Sequence, residues 1–216
     1  MMALTGWASD GALPVKVLSA RIAPTAPLVF IVSGDGGWNL FIESVSECFV
    51  QKGMPVVCLD SKKYFWSGRT PEKASADINT LISHYMKEWN RKSYILVGYS
   101  FGAAVIPFIA TRTSSELREK MEGLYSISPD EKTDFEIHLS DMLNLGSSEG
   151  KYNVINEMKK IRLLDPVCIF GEEESAAVKK NFSLAGMRVI ILKGNHHYNN
   201  NYCRLAGAII SSRDAR

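Results

Sequence analysis

Six nearly continuous apolar runs punctuate the chain: Leu28–Val32, Pro55–Leu59, Tyr94–Val97, Leu124–Ile127, Val167–Phe170 and Arg188–Leu192. Their apolar positions are consecutive rather than alternate. A strand that is apolar on both faces is covered on both faces, which is the condition of a parallel sheet under helices. Helix-length segments lie between the runs, at about residues 39–52, 72–90, 101–113, 151–162, 175–185 and 199–212. Strand then helix, repeated, predicts an α/β fold with a mostly parallel, doubly wound sheet and helices on both faces. A further strand near Val15–Ile22 is expected to add an antiparallel edge.

The pattern contains no internal repeat, low-complexity tract or interdomain linker, so the 216 residues read as a single domain. Residues 1–13 read as disordered or added. The longest irregular stretch, Ser128 to Leu164, contains Gly146-Ser-Ser-Glu-Gly150 and is expected to form a lid-like excursion.

Composition narrows the classes. With 46% hydrophobic and 22% charged residues the chain is of globular type, long enough to bury a core without a metal. A net charge of +2, with no Lys/Arg cluster interleaved with aromatics, argues against a nucleic-acid partner. It leaves room for peripheral contact with an anionic membrane. No apolar run approaches the ~20 residues of a membrane span. The N-terminus lacks a basic start followed by an apolar stretch, so the signal of an exported protein is expected to have been removed. The four cysteines (Cys48, Cys58, Cys168, Cys203) form no Cys-x-x-Cys pair and flank no histidine at zinc spacing. No metal or cofactor is expected, and the cysteines read as small buried hydrophobes. Oligomeric state leaves no signal in the sequence.

The strongest chemical signal is Gly98-Tyr-Ser-Phe-Gly102, which follows one predicted strand and opens an apolar helix. A nucleophile elbow needs that context: the serine stands at a sharp turn, and the glycines remove side chains that would collide there. Ser100 is therefore the candidate nucleophile. A serine needs a base. The last predicted strand runs into Gly194-Asn-His-His-Tyr198, and of this pair His197 is favoured over His196. His84 and His138 read as surface or interhelix residues. The third member is expected after the penultimate strand, in Phe170-Gly-Glu-Glu-Glu174; Glu174 is favoured, with Glu173 and Glu172 as alternatives. An acid there fixes the imidazole tautomer and stabilises the imidazolium.

An oxyanion hole requires two backbone N–H groups. Phe101, next to the nucleophile, offers one. The glycine-rich loop Ser33-Gly-Asp-Gly-Gly-Trp38 offers the other, from Asp35 or alternatively Gly36. Tyr64-Phe-Trp-Ser-Gly68 places aromatics after the second core strand. Trp38, Tyr64 and Trp66 are the candidate substrate wall, and Arg69 the candidate contact to a phosphate. The sequence thus points to a small-molecule or lipid ester as the partner of a serine hydrolase. A non-catalytic binding or assembly protein, and a peptidase or acyltransferase with the same triad, are the competing classes.

The patterns Ser-Gly-Asp-Gly-Gly-Trp (33–38), Tyr-Phe-Trp-Ser-x-Arg-Thr-Pro-Glu (64–72), Gly-Tyr-Ser-Phe-Gly-Ala (98–103) and Gly-x-His-His-Tyr (194–198), with Phe135-Glu-Ile137, are together specific. From about Pro14 onward the chain resembles the bacterial virulence protein family VirJ/AcvB, of the α/β-hydrolase superfamily. That resemblance implies a periplasmic α/β-hydrolase that cleaves aminoacylated phospholipid, chiefly lysyl-phosphatidylglycerol, with Ser100 as nucleophile and the base drawn from His196-His197. Two positions depart from the family. Ala104 stands where an Asp is usual, and Ser175-Ala-Ala-Val178 replaces an acidic continuation with a Cys, which removes a disulfide partner for Cys168.

Overall fold

The computed structural model describes residues 13–20, 25–137 and 150–215. His138 and residues 138–149 of the expected excursion lie outside the described residues, as does nearly all of 1–13. The chain begins β1 (Val15–Leu18), β2 (Leu28–Val32), α1 (Leu40–Gln51), β3 (Val56–Leu59), α2 (Ser61–Tyr64) and α3 (Pro71–Glu88). It continues β4 (Tyr94–Tyr99), α4 (Phe101–Thr111), α5 (Ser115–Arg118), β5 (Met121–Ile127), β6 (Lys132–Thr133) and β7 (Tyr152–Asn153). It closes α6 (Val154–Lys160), β8 (Val167–Gly171), α7 (Ala176–Leu184), β9 (Arg188–Leu192) and α8 (Tyr202–Asp214).

Seven strands form one sheet in the order β1-β3-β2-β4-β5-β8-β9. All neighbours are parallel except β1, which pairs antiparallel to β3 as Val15 opposite Leu59 through Leu18 opposite Val56. This is the α/β-hydrolase arrangement that the apolar runs predict. The short β6–β7 hairpin stands apart from the sheet. Within the expected excursion, Phe135 and Ile137 are buried, Arg69 N–H donates to Phe135 O (2.7 Å) and Ile137 N–H to Phe65 O (3.1 Å).

Side-chain alternation along β2 divides the core. Leu28, Phe30 and Val32 join the layer filled by α3, α4, α6 and α7. Val29 and Ile31 join the layer filled by α1 and α8. On that second face Cys48 of α1 and Cys203 of α8 form a disulfide across 155 positions of sequence. This corrects the reading of all four cysteines as buried hydrophobes. Packing of α1 on α8 brings the pair together, and no local spacing announces it. Cys58 and Cys168 are free and buried, as expected.

Helix α4 crosses the centre of the sheet and carries Pro107 in its interior. Proline has no N–H, so the carbonyl four residues earlier loses its helical donor. Ser126 on β5, fully buried, fills the gap: its hydroxyl donates to Ala103 O at 3.1 Å. The bond seats the helix that carries the elbow on its sheet. Ser126→Ala is expected to destabilise the fold by about 1–3 kcal/mol, because a buried carbonyl is left unpaired. Adding Pro107→Ala returns an N–H to that carbonyl and should recover part of the loss. Urea unfolding of the two single variants and the double variant reads both effects; additive losses would contradict the pairing.

Candidate active site

Ser100 is the single residue between β4 and α4, with φ 52° and ψ −115°. Positive φ is costly for a side-chain-bearing residue, about 1–3 kcal/mol. Its surroundings hold it there. Ser100 N–H donates to Ile127 O (2.8 Å), and Ser100 O accepts from Ala104 N–H (3.2 Å). A Cβ on Gly98 would strike the Gly102 carbonyl, and one on Gly102 would strike the carbonyls of Val32 and Ser33. The two glycines therefore let α4 descend onto the ends of β2 and β4, which is what makes the turn sharp. Ala104, where the resembled family carries an Asp, is buried in the core one turn further along.

Glu174 occupies the turn after β8. Its Oε1 lies 2.8 Å from His196 Nδ1. Its Oε2 accepts from Gly171 N–H (2.5 Å) and from the Ser128 hydroxyl (2.9 Å). Burial pushes the Glu174 carboxyl up; the bonds from His196, Gly171 and Ser128 outweigh that and hold it below the usual carboxylate range. Glu172 and Glu173 are exposed. Their backbones stitch the turn to the next loop instead, Glu172 N–H to Leu192 O (2.7 Å) and Glu173 N–H to Gly194 O (3.1 Å).

Glu174 thus meets His196, while sequence favoured its neighbour, His197, as the candidate base. His197 turns the other way: its Nδ1 lies 3.0 Å from Tyr99 Oη, and its ring meets Phe41 edge-on. Tyr99 Oη also donates to the His196 carbonyl at 3.2 Å. Both contacts are met when His197 Nδ1 carries a proton and donates to the phenol oxygen. Burial, with the charges of Glu174 and Asp35, raises the Tyr99 pKa, so the phenol stays protonated and fastens the loop that bears His196. Among the described residues, no hydrogen bond joins Ser100 Oγ to either imidazole.

The loop after β2 approaches Ser100 closely: a Cβ on Gly34 would lie 3.5 Å from Ser100 Cβ. Gly36 N–H is taken by the Asp35 carboxylate at 3.0 Å. Among the described residues, Asp35 N–H and Phe101 N–H have no partner. That leaves Asp35, rather than Gly36, with a free donor beside the elbow.

The expected aromatic wall separates into parts. Tyr64 is buried, its hydroxyl on Asp77 at 2.6 Å, so it is a core residue and not a wall of the site mouth. The apolar sequence around it is explained by packing against Phe65. Trp66 is 48% exposed and Trp38 half-buried. Arg69 is occupied near its own backbone, donating to Gly68 O (2.7 Å) and Ser67 Oγ (3.2 Å) with its guanidinium over the Tyr64 ring.

Sequence reasoning missed Ser128, Tyr198 and Asp130. Tyr198 Oη donates to Ile169 O (3.0 Å) and lies 2.7 Å from Ser128 Oγ, against the hydroxyl that meets Glu174. Asp130 senses the charges of His196, Glu174 and Asp35, and desolvation raises its pKa. The available signal was position: Ser128-Pro129-Asp130 follows the end of β5, and in open α/β sheets ligands gather outside the carboxyl ends of strands.

A family described as bacterial virulence protein (VirJ) matches residues 27–216. No curated protein matches the chain. Among solved structures, Est1E from Butyrivibrio proteoclasticus is similar with a TM-score of 0.66 at 13% identity, over 94% of each chain. The esterase domain of a Rhodothermus marinus protein gives 0.66 at 10% identity, over 93% of this chain and 92% of that one. Proline iminopeptidase of Mycobacterium smegmatis gives 0.62 at 12% identity, over 93% and 95%. At such identities the likeness shows the fold.

A carboxyl held below its ordinary value near 4.5 stabilises the fold above that pH and loses the contribution as pH falls through its folded value. Glu174→Gln should therefore cost about 1–3 kcal/mol at pH 7. The gap between wild type and variant should close as pH falls below about 4.5. Denaturant unfolding from pH 3 to 7 measures the gap; a pH-independent difference would contradict the bonding described for Glu174.

Proposed function

The chain belongs to the bacterial virulence protein (VirJ) family, and from that footing we propose that it is a serine hydrolase of carboxylic esters. Ser100 is the nucleophile, His196 the base and Glu174 the acid. The observation that carries this reading is the 2.8 Å bond between Glu174 Oε1 and His196 Nδ1, beside a serine at positive φ on a strand-to-helix elbow. With Nδ1–H given to Glu174, the His196 Nε2 lone pair is free to take a proton. The base is thus assigned to His196 in place of His197.

In the reaction, Ser100 Oγ attacks the ester carbonyl carbon as its proton passes to His196 Nε2. The carbonyl oxygen becomes an oxyanion, received by the N–H groups of Asp35 and Phe101. The tetrahedral centre collapses, the C–O bond breaks, and His196 gives the proton to the departing alkoxide. Water then attacks the acyl-serine, again deprotonated by His196, and releases acid and free Ser100. Glu174 stays ionised and steadies the imidazolium at both stages. The resting absence of a Ser100–His196 bond accords with apo sites, where such contacts tighten only around substrate.

The substrate is read as an aminoacyl ester of an anionic phospholipid, with lysyl-phosphatidylglycerol foremost. The family likeness supports this. Action outside the cytoplasm is part of the same reading. The Cys48–Cys203 disulfide supports it, because such bonds persist in oxidising compartments.

Two measurements test the proposal. On p-nitrophenyl esters, Ser100→Ala and His196→Ala should each lower kcat by ~10³-fold or more, while His197→Ala stays within about ten-fold. Comparable losses at His196 and His197, or activity retained without Ser100, would refute the assignment. Incubation with lysyl- and alanyl-phosphatidylglycerol should release lysine faster than alanine, in a Ser100-dependent way. An untouched lysyl lipid beside turned-over neutral esters would refute the substrate and keep the hydrolase.

A further inference from the structure

Beside the loop after β2 lies an open groove of about 800 Å³. That is within the range of small-molecule sites, about 300–1,000 Å³. Its lining comes from three places: Lys16 on edge strand β1, Gly36 and Trp38 on the loop, and Asp60, Lys62, Lys63 and Trp66 in and around α2. Three ammonium groups face one carboxylate. That carboxylate is committed: Asp60 Oδ1 caps α2 by accepting from Lys63 N–H (3.2 Å), and Oδ2 lies 3.7 Å from Lys63 Nζ. Among the described residues, Lys16 and Lys62 have no ion-pair partner. The groove therefore holds two uncompensated positive charges and two indoles in its lining, and Trp66 is 48% exposed although tryptophan is ordinarily well covered.

The groove is rigidly joined to the reacting centre. Ser61 N–H donates to Ser33 Oγ (2.9 Å) and Ser61 Oγ to Ser33 O (2.7 Å), both buried, which ties the start of α2 to the start of the loop. Gly37, at φ +67°, backs onto the side chains of Asp60 and Lys62, where a Cβ would lie 2.9 Å from Lys62 Cβ. The same loop brings Gly34 against Ser100 and offers Asp35 N–H to the oxyanion. Gly36 of the groove thus stands two residues along the loop from Gly34, which approaches Ser100.

We propose that this groove holds the anionic portion of the ester, a phosphate-type group borne on an apolar body, with Lys16 and Lys62 on the charge and Trp38 and Trp66 along the body. The inference rests on the hydrolase reading of Ser100, and it moves anion recognition away from Arg69, whose guanidinium is already engaged. A charge-assisted contact to each lysine amounts to roughly ten- to a hundred-fold in affinity.

Binding is measured in the full chain carrying Ser100→Ala, which cannot turn over, so this outcome is separate from that of the hydrolase assay. Tryptophan fluorescence is followed against phosphatidylglycerol vesicles, phosphatidylcholine vesicles and soluble sn-glycerol 3-phosphate. Adding Lys16→Glu with Lys62→Glu should weaken binding to phosphatidylglycerol vesicles at least ten-fold, and Lys16→Gln with Lys62→Gln should weaken it less, in the same direction. Equal lysine dependence with glycerol 3-phosphate assigns the site to the phosphate itself; dependence confined to vesicles assigns it to a lipid-borne phosphate. Both lysines are exposed or half-exposed, and thermal unfolding checks that the variants fold. Reversing Lys87 and Lys92, at the opposite end of the sheet, controls for overall charge. The proposal is overturned by unchanged affinity in the Lys16/Lys62 variants, by an equal loss in the Lys87/Lys92 control, or by no binding of the parent to either phosphate probe.

Discussion

Glu174 sits among three donors: the His196 ring, the Gly171 amide and the Ser128 hydroxyl. Removing a carboxylate from water is costly unless its lone pairs are met. Here they are, and the consequence reaches well beyond the pair. The Gly171 amide belongs to the end of β8, Ser128 to the end of β5, and His196 to the loop after β9. One carboxylate therefore draws the carboxyl ends of three neighbouring strands to a common point, and the orientation of the imidazole follows from it. Tyr99, at the end of β4, completes the set by fastening the His196 backbone from the other side.

Ser100 depends on a different constraint, backbone sterics. Ser100 keeps positive φ because Gly98 and Gly102 let a helix and two strand ends crowd together. That helix is in turn seated through the Ser126 bond to the carbonyl that Pro107 leaves open. The loop after β2 is fixed by the Ser33–Ser61 pair. Three independent local devices thus converge on one place outside the sheet, and none is strong alone. Their common dependence is the parallel order of the strands, which points all the relevant ends the same way.

Much of this was legible in the sequence where the physics is local. Continuous apolar runs give parallel strands, and the six runs correspond to β2, β3, β4, β5, β8 and β9, although the edge strand β9 is only partly buried and leaves Ile191 exposed. The elbow is readable because its glycines, strand and helix are contiguous. Glu174, the member of the Glu run that meets a histidine, is readable from its spacing after Gly171. What escaped is what depends on direction or distance. His196 and His197 are adjacent, and only the path of the loop decides which ring meets Glu174. Tyr64 looked like a site aromatic because exposure does not show in composition; its hydroxyl is spent on Asp77 inside the fold. Cys48 and Cys203 meet across 155 positions of sequence, so no motif marks them. Ser128 and Asp130 follow a weak strand signal and carry no motif.

Ser100, His196 and Glu174 are proposed to act as one unit with the N–H groups of Asp35 and Phe101. A crystal structure of the protein after reaction with a fluorophosphonate tests all five at once. The expected structure has phosphorus bonded to Ser100 Oγ, His196 Nε2 within hydrogen-bond distance of an adduct oxygen, Glu174 still on His196 Nδ1, and the phosphonyl oxygen facing Asp35 N–H and Phe101 N–H. An unmodified Ser100, or an adduct attended by His197 with Glu174 detached from His196, would contradict it.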